Sequence, residues 1–156
     1  MDHFHQETVR DNMSRPARAI APEMTLGDLA RMFSASNVAA YPVVRDEKIV
    51  GIVSRTDIIK PFAAMAATNA VYFDSIMGTT VEEIMSRQVI AVELDATLDQ
   101  VIHLMGAYDF KSFPVVDQEN RVRGVVTRDD VVRALARSTR RSSLPLELRP
   151  MGYAIA

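Results

Sequence analysis

The chain contains no cysteine, which excludes a disulfide framework, a thiolate metal site and a cysteine nucleophile. It has no basic excess either. With 18 Lys+Arg against 20 Asp+Glu the formal net charge is -2, whereas a general nucleic-acid binder carries a basic footprint. No apolar run reaches the roughly 18 residues that a membrane span needs. The longest candidate, residues 61–73, is broken by Thr68 and Asn69. The opening MDHFHQETVR is polar, carries both charge signs and does not read as a signal peptide. A cytoplasmic protein is expected. The common catalytic signatures are missing: there is no G-x-S-x-G, H-E-x-x-H, P-loop or G-x-G-x-x-G. His3 and His5 have no further histidine nearby to complete a metal site, and His103 sits beside the apolar stripe of a helix. Asp129 and Asp130 are adjacent on a helix and so face different ways, which argues against an acid–base pair.

What is present is an ordinary globular composition, 48% hydrophobic and 24% charged over 156 residues. That length suits one compact domain or two small halves sharing a core. An internal repeat decides between them. VRDNMSR at 9–15 matches VEEIMSR at 81–87, with Met13 and Met85 standing 72 positions apart. The same offset aligns Thr25-Leu26 with Thr97-Leu98, and Tyr41-Pro42-Val43-Val44 with Phe113-Pro114-Val115-Val116. One residue is inserted in the second copy within 117–123. GIVSRTDII at 51–59 then matches GVVTRDDVV at 124–132, at an offset of 73.

Each copy reads alike. A brief strand is expected at 17–20 or 89–92. A helix follows, opened by Thr25-x-x-Asp28 or by the capping box Thr97-x-x-Gln100. Leu98, Val101, Ile102 and Met105 fall on one helical face, and Leu26, Leu29, Ala30 and Phe33 repeat the spacing. Two strands come next, at 41–45 and 49–53 or at 113–117 and 122–126, each pair joined by a polar turn. A last helix starts at Ser54 or Thr127. The unit is β-α-β-β-α. The Ala- and Met-rich stretch 61–80 is expected to continue as a linking helix. Its methionines read as adaptable packing. Pro145 and Pro150 prevent a regular helix in the tail.

The repeat resembles the CBS domain. The residues that carry the resemblance are Met13-Ser14 and Met85-Ser86, the aromatic-Pro-Val-Val strand, and the G-h-h-[ST]-x-x-D block. That block runs from Gly51 through Ser54 to Asp57, and from Gly124 through Thr127 to Asp130. The resemblance implies CBS repeat 1 at residues 9–67, a helical linker at 68–80, CBS repeat 2 at 81–137 and a C-terminal tail at 138–156. It implies an α+β fold in which the two repeats pack sheet to sheet with pseudo-two-fold symmetry. It also implies two clefts between them, where many relatives bind AMP, ADP, ATP or S-adenosylmethionine, and modules that often dimerise. No obligatory cofactor, no metal and no catalytic residue are implied.

The block also has a chemistry of its own. The Ser or Thr sits at a strand-to-helix junction, with the Asp one turn in. An ionised carboxylate only accepts hydrogen bonds and suits the vicinal hydroxyls of a ribose. The hydroxyl and the free N–H groups of the first turn suit phosphate oxygens. Arg55 and Arg128 would add charge-assisted contacts. The same Ser54-x-x-Asp57 and Thr127-x-x-Asp130 spacings equally describe a plain helix cap.

Carried over by position, cleft 1 would comprise Ser54, Arg55, Asp57, Ser86, Val89, Ile90, Phe110, Lys111, Phe113 and Pro114. Cleft 2 would comprise Thr127, Arg128, Asp130, Ser14, Arg18, Val38, Ala39, Tyr41 and Pro42. Val38, Ala39, Val89 and Ile90 fit ordinary core packing as well, and so do Tyr41 and Phe113. The clefts are not equivalent: Lys111 of the first answers to Ala39 of the second, and Arg18 of the second to Ile90 of the first. The expectation is a non-enzymatic sensor of an adenosyl ligand, with an effector protein in trans. Ile58, Ile59, Val131, Val132, Leu135 and the Ala- and Met-rich linker are expected to form a homodimer surface. The alternative is a structural homodimerisation module with vestigial clefts.

Overall fold

The computed structural model describes residues 3–14, 18–63 and 70–141. Ala17 of the first expected strand, residues 68 and 69 of the linker, and the tail from residue 142 lie outside the described residues. A 3-10 turn at His3–Gln6 precedes α1 (Val9–Asn12) and α2 (Leu26–Ser34). The hairpin β1 (Ala40–Arg45) and β2 (Lys48–Ser54) runs into α3 (Arg55–Ala63). Then come α4 (Ala70–Met77), α5 (Val81–Ile84), β3 (Val92–Glu93) and α6 (Leu98–Tyr108). The hairpin β4 (Ser112–Val116) and β5 (Val122–Thr127) runs into α7 (Arg128–Arg141). The fold is α+β, as the resemblance implied. The linking stretch contains a distinct helix, α4, and the expected tail begins as the last turn of α7.

The helices start where capping chemistry allows. Thr25 accepts from the Asp28 N–H at 3.2 Å. Thr97 and Gln100 complete a reciprocal box, as do Thr80 and Glu83. Leu26, Leu29 and Phe33 of α2 and Leu98, Val101 and Met105 of α6 are buried. Ile102, expected on the same face, is 39% exposed. The i+4 position lies at the edge of the stripe and turns outward.

β1 and β2 pair antiparallel, and β4 lies between parallel β3 and antiparallel β5. Both hairpins carry a bulge at the same place, between Val43 and Val44 and between Val115 and Val116. The first turn holds Asp46 and Glu47 at φ 51° and 66°, the left-handed pair of a two-residue hairpin turn. The inserted residue of the second copy is absorbed in its turn. There Asp117 accepts from the Arg121 and Glu119 N–H groups at 3.0 and 2.9 Å, which holds its carboxyl below the ordinary aspartate value. The brief strand of the first repeat is reduced to one parallel bridge, Ile20 to Val43. That of the second is Val92–Glu93, displaced from the expected 89–92. The chain ahead of it is held by the other repeat: Ser86 and Ile52 exchange two backbone hydrogen bonds of 2.9 Å.

That hold is part of an exchange. Val9, fully buried, packs with Leu98, Val101, Val115 and Val126 of the second repeat. Val81 and Met85 pack with Leu26, Leu29, Val43 and Val53 of the first. The backbone repeats the pattern: Val9 N–H donates to Ala96 O and Val81 N–H to Met24 O, each at 2.8 Å. Each core therefore contains the leading segment of the other repeat. Gly51 and Gly124 mark where these segments cross. A Cβ on Gly124 would lie 2.7 Å from Ser14 O, and one on Gly51 would lie 2.4 Å from Met85 Sδ and 3.0 Å from Ser86 O. Close backbone approach, with no positive φ, is what these glycines serve.

Candidate functional site

The crossing at Gly124 opens a cavity of about 600 Å³ between the repeats. The first repeat contributes Ser14 and Arg18 from its leading segment and the run from Asn37 to Pro42 at the start of β1. The second contributes Lys111 and Ser112 before and at the start of β4, Val125 and Thr127 of β5, and Arg128 and Asp129 at the head of α7. Eight of the nine residues expected in cleft 2 line this one space: Ser14, Arg18, Val38, Ala39, Tyr41, Pro42, Thr127 and Arg128. Tyr41 is 1% exposed, with its hydroxyl 2.9 Å from Ser36 Oγ, so it serves the core and the wall together.

The ninth, Asp130, is 1% exposed and does not line the cavity. Its carboxylate accepts from the Thr127 N–H at 2.8 Å, the Thr127 hydroxyl at 2.9 Å, the Ser14 hydroxyl at 3.1 Å and the Arg133 guanidinium. Asp57 is placed alike: the Ser54 N–H and hydroxyl donate to it at 2.7 and 3.0 Å, and Lys60 Nζ at 3.2 Å. Both aspartates cap the helices they open. That is the plainer of the two readings of the block. A ribose at Asp130 would compete with the four donors already there, whereas Asp57 holds three and keeps acceptor capacity.

Lys111, expected in cleft 1, borders the cavity lined by the cleft 2 residues. It is the counterpart of Ala39, and the two positions share this wall because the loops before β1 and β4 meet at the repeat interface. Arg55 turns away from the junction. It donates to Phe33 O at 2.8 Å and Ser36 O at 2.6 Å, closing the C-terminus of α2, and stacks 5.1 Å from the Phe33 ring centroid. Arg128 makes the matching contact with Asp109 Oδ1 at 2.9 Å yet still borders the cavity.

Of the other cleft 1 residues, Phe113 is fully buried and Ile90 packs on the second core. Pro114 is buried and Val89 half-buried. Phe110 is 45% exposed, stacked 5.6 Å from Tyr108. Ser86 is exposed, and its hydroxyl donates to Gln88 O at 3.4 Å. Sequence reasoning missed Asn37, Ala40, Ser112, Val125 and Asp129 on the cavity wall. All but Val125 flank a residue it named, so extending the segments by one position would have found most of them.

A second, open groove of about 830 Å³ lies along β3 and α6, bordered by Glu93, Asp95, Asp99 and His103. It shares no lining residue with the inter-repeat cavity. Arg10 pairs with Asp95 at 3.0 Å and His5 with Asp99 at 2.5 Å. Among the described residues no His/Cys/Asp/Glu cluster could hold a metal, and no helix is long and apolar enough to cross a membrane.

Comparison with known proteins bears on the same two segments. The family model for the CBS domain matches residues 8–64 and 81–137. Protein MJ1225 of Methanocaldococcus jannaschii is 31% identical over 133 residues, which are 83% of this chain and 48% of that protein. The chain thus spans about half the length of that relative. The solved CBS domain pair of protein MJ0100, in complex with 5'-methylthioadenosine and S-adenosyl-L-methionine, is 31% identical with a TM-score of 0.68. The match covers 83% of this chain and 95% of that one. CBSX2, solved in complex with AMP, is 25% identical with a TM-score of 0.71, covering 85% of this chain and 98% of that one.

Proposed function

The chain belongs to the CBS-domain family, with two copies in one polypeptide, and on that premise we propose that it is a regulatory module sensing an adenosine-containing ligand. The ligand, AMP, ADP, ATP or S-adenosylmethionine, binds in the clefts between the repeats, and the module signals to a protein partner in trans. The module binds and does not catalyse. The observation that carries this reading is the cavity of about 600 Å³. Apolar Val38, Ala39, Tyr41, Pro42 and Val125 suit the faces of a purine. Strand-edge backbone suits its edge, and Ser14 and Thr127 bring hydroxyls next to Asp130. The similar CBS pairs solved with AMP and with S-adenosyl-L-methionine support the ligand class.

Because both repeats line the cavity, a ligand held there changes how they sit together. It acts as a signal only through a difference in affinity between two such arrangements. The carboxylates' role in capping their own helices favours a second reading, a structural homodimerisation module whose clefts are vestigial. Thermal melting with AMP, ATP or S-adenosylmethionine separates the two, since a ligand that binds only the native state raises its stability by mass action. The sensor reading expects a concentration-dependent rise in Tm with one of the three. No rise with any of them favours the scaffold.

A further inference from the structure

We infer that Arg18 and Lys111 make the cleft beside Thr127 an anion site, so that its ligand carries phosphate rather than the cationic sulfonium of S-adenosylmethionine. This rests on reading the cleft as an adenosyl site and names the ligand class it takes. Both side chains border the same cavity and both are exposed. Among the described residues neither takes part in an ion pair, whereas Arg128, the third cation on that wall, is held by Asp109 at 2.9 Å. Asp129 is the one acidic side chain bordering the cavity. Two unpaired cations facing one concavity add their fields there, and the low-dielectric walls focus them. A guanidinium offers forked donors and an ammonium a compact charge, and phosphate oxygens satisfy both.

The internal repeat restricts this property to one cleft. The counterpart of Arg18 is Ile90, which packs against the second core, and the counterpart of Lys111 is Ala39. Arg55, the remaining cation expected at cleft 1, is bound to the carbonyls of Phe33 and Ser36. Among the described residues expected at the two clefts, the pair of uncommitted cations falls beside Thr127.

The test is calorimetric titration of the full chain with adenosine, AMP and S-adenosylmethionine, at low and at raised salt. AMP should bind about tenfold or more tightly than adenosine, and salt should narrow the gap. Arg18→Met and Lys111→Met should each cut the AMP-to-adenosine ratio by about tenfold or to parity. Lys111→Arg, which keeps the charge, should retain the ratio. Thermal melting of each variant checks the fold, which exposed side chains leave intact. Three results overturn the inference and leave the adenosyl reading standing: equal affinity for AMP and adenosine, tighter binding of S-adenosylmethionine than of AMP, or a ratio that survives Arg18→Met with Lys111→Met. Binding of none of the three overturns both.

Discussion

The Ser14 hydroxyl lies 3.1 Å from Asp130 Oδ1, across a sequence separation of 116 residues, and ties the leading segment of one repeat to the helix that opens in the other. The matching serine, Ser86, instead donates to the Gln88 carbonyl, two residues away. The two helix-opening aspartates therefore do different work. Asp57 holds its own turn and Lys60, at 9% exposure. Asp130 holds its turn, Arg133 and the other repeat, at 1%.

From this asymmetry follows a difference between two conservative substitutions. Asparagine keeps one carbonyl acceptor and caps helices acceptably, so Asp57→Asn should cost at most about 1 kcal/mol. Asp130→Asn loses a charged acceptor with several buried donors on it and should cost about 1.5–3 kcal/mol. If ribose also uses these carboxylates, each change weakens AMP at its own cleft by about 10- to 100-fold. Urea unfolding and calorimetry read the two effects separately. Equal stability losses would remove the asymmetry. Undiminished AMP binding in the double variant would leave the aspartates as caps alone.

Gly124→Ala and Gly51→Ala should also differ. The added methyl at Gly124 meets the Ser14 carbonyl oxygen at 2.7 Å, a backbone atom that cannot move without breaking the Ser14–Val125 pairing. At Gly51 the closest atom is Met85 Sδ, in a flexible side chain, with the Ser86 oxygen farther off at 3.0 Å. Overpacking of this kind costs about 1–3 kcal/mol. Gly124→Ala should fall at the upper end, and Gly51→Ala nearer the lower. A Gly124→Ala protein with parental Tm would mean that the leading segment shifts freely.

The exchanged cores predict long-range coupling. Val9 belongs by sequence to the first repeat and by packing to the second. Val9→Ala should cost about 2 kcal/mol. Hydrogen exchange should show lost protection at Val101 and Val115 of the second repeat before Val43 and Val53 of the first. Val81→Ala should do the opposite. Loss confined to each residue's own repeat would contradict the exchange.

The exchange also explains what the sequence could and could not convey. The offset alignment exposes the helices, the hairpins and the strand-to-helix junctions, because caps, alternation and turn residues act locally. It carries no sign that residues 9–14 pack on the far repeat, because a leading Val-x-x-x-Met-Ser satisfies either core equally. The conjunction of Met-Ser with Gly-h-h in both copies was the available trace, for those residues touch across the repeats. Spacing already brought together eight residues that line the cavity beside Thr127, although Ser14, Arg18, Val38 and Ala39 lie outside the helices and strands. Lys111 lines the cavity beside Thr127 because it precedes β4, where the loop meets the one before β1 at the interface. Arg55 closes the end of α2, because the carbonyls there, invisible to spacing, compete for its guanidinium.

The last prediction concerns assembly. Ile58 and Val131 were expected on an outer face, but Ile58 packs against the first core and Val131 is 5% exposed in the second. What stays outside is narrower: Ile59 at 61% on α3, Tyr72 and Phe73 at 54% and 52% on α4, and Val132 and Leu135 at 60% and 41% on α7. Scattered apolar residues need no explanation, but exposed aromatic and branched side chains on the outer faces of three helices suit a partner surface. A second copy meets that need if the helices pair about a two-fold axis, which brings the same residues together from both sides. The chain should therefore be a homodimer at micromolar concentration in light scattering. Ile59→Glu with Val132→Glu should make it monomeric, since two like charges would then be buried against their own copies. Both side chains are exposed, so the monomer should unfold within about 0.5 kcal/mol of a parent compared at a concentration where it too is dissociated. A parent already monomeric at micromolar concentration would show that the helices are covered by another protein or by none. A dimer that survives both charges would move the interface to another face.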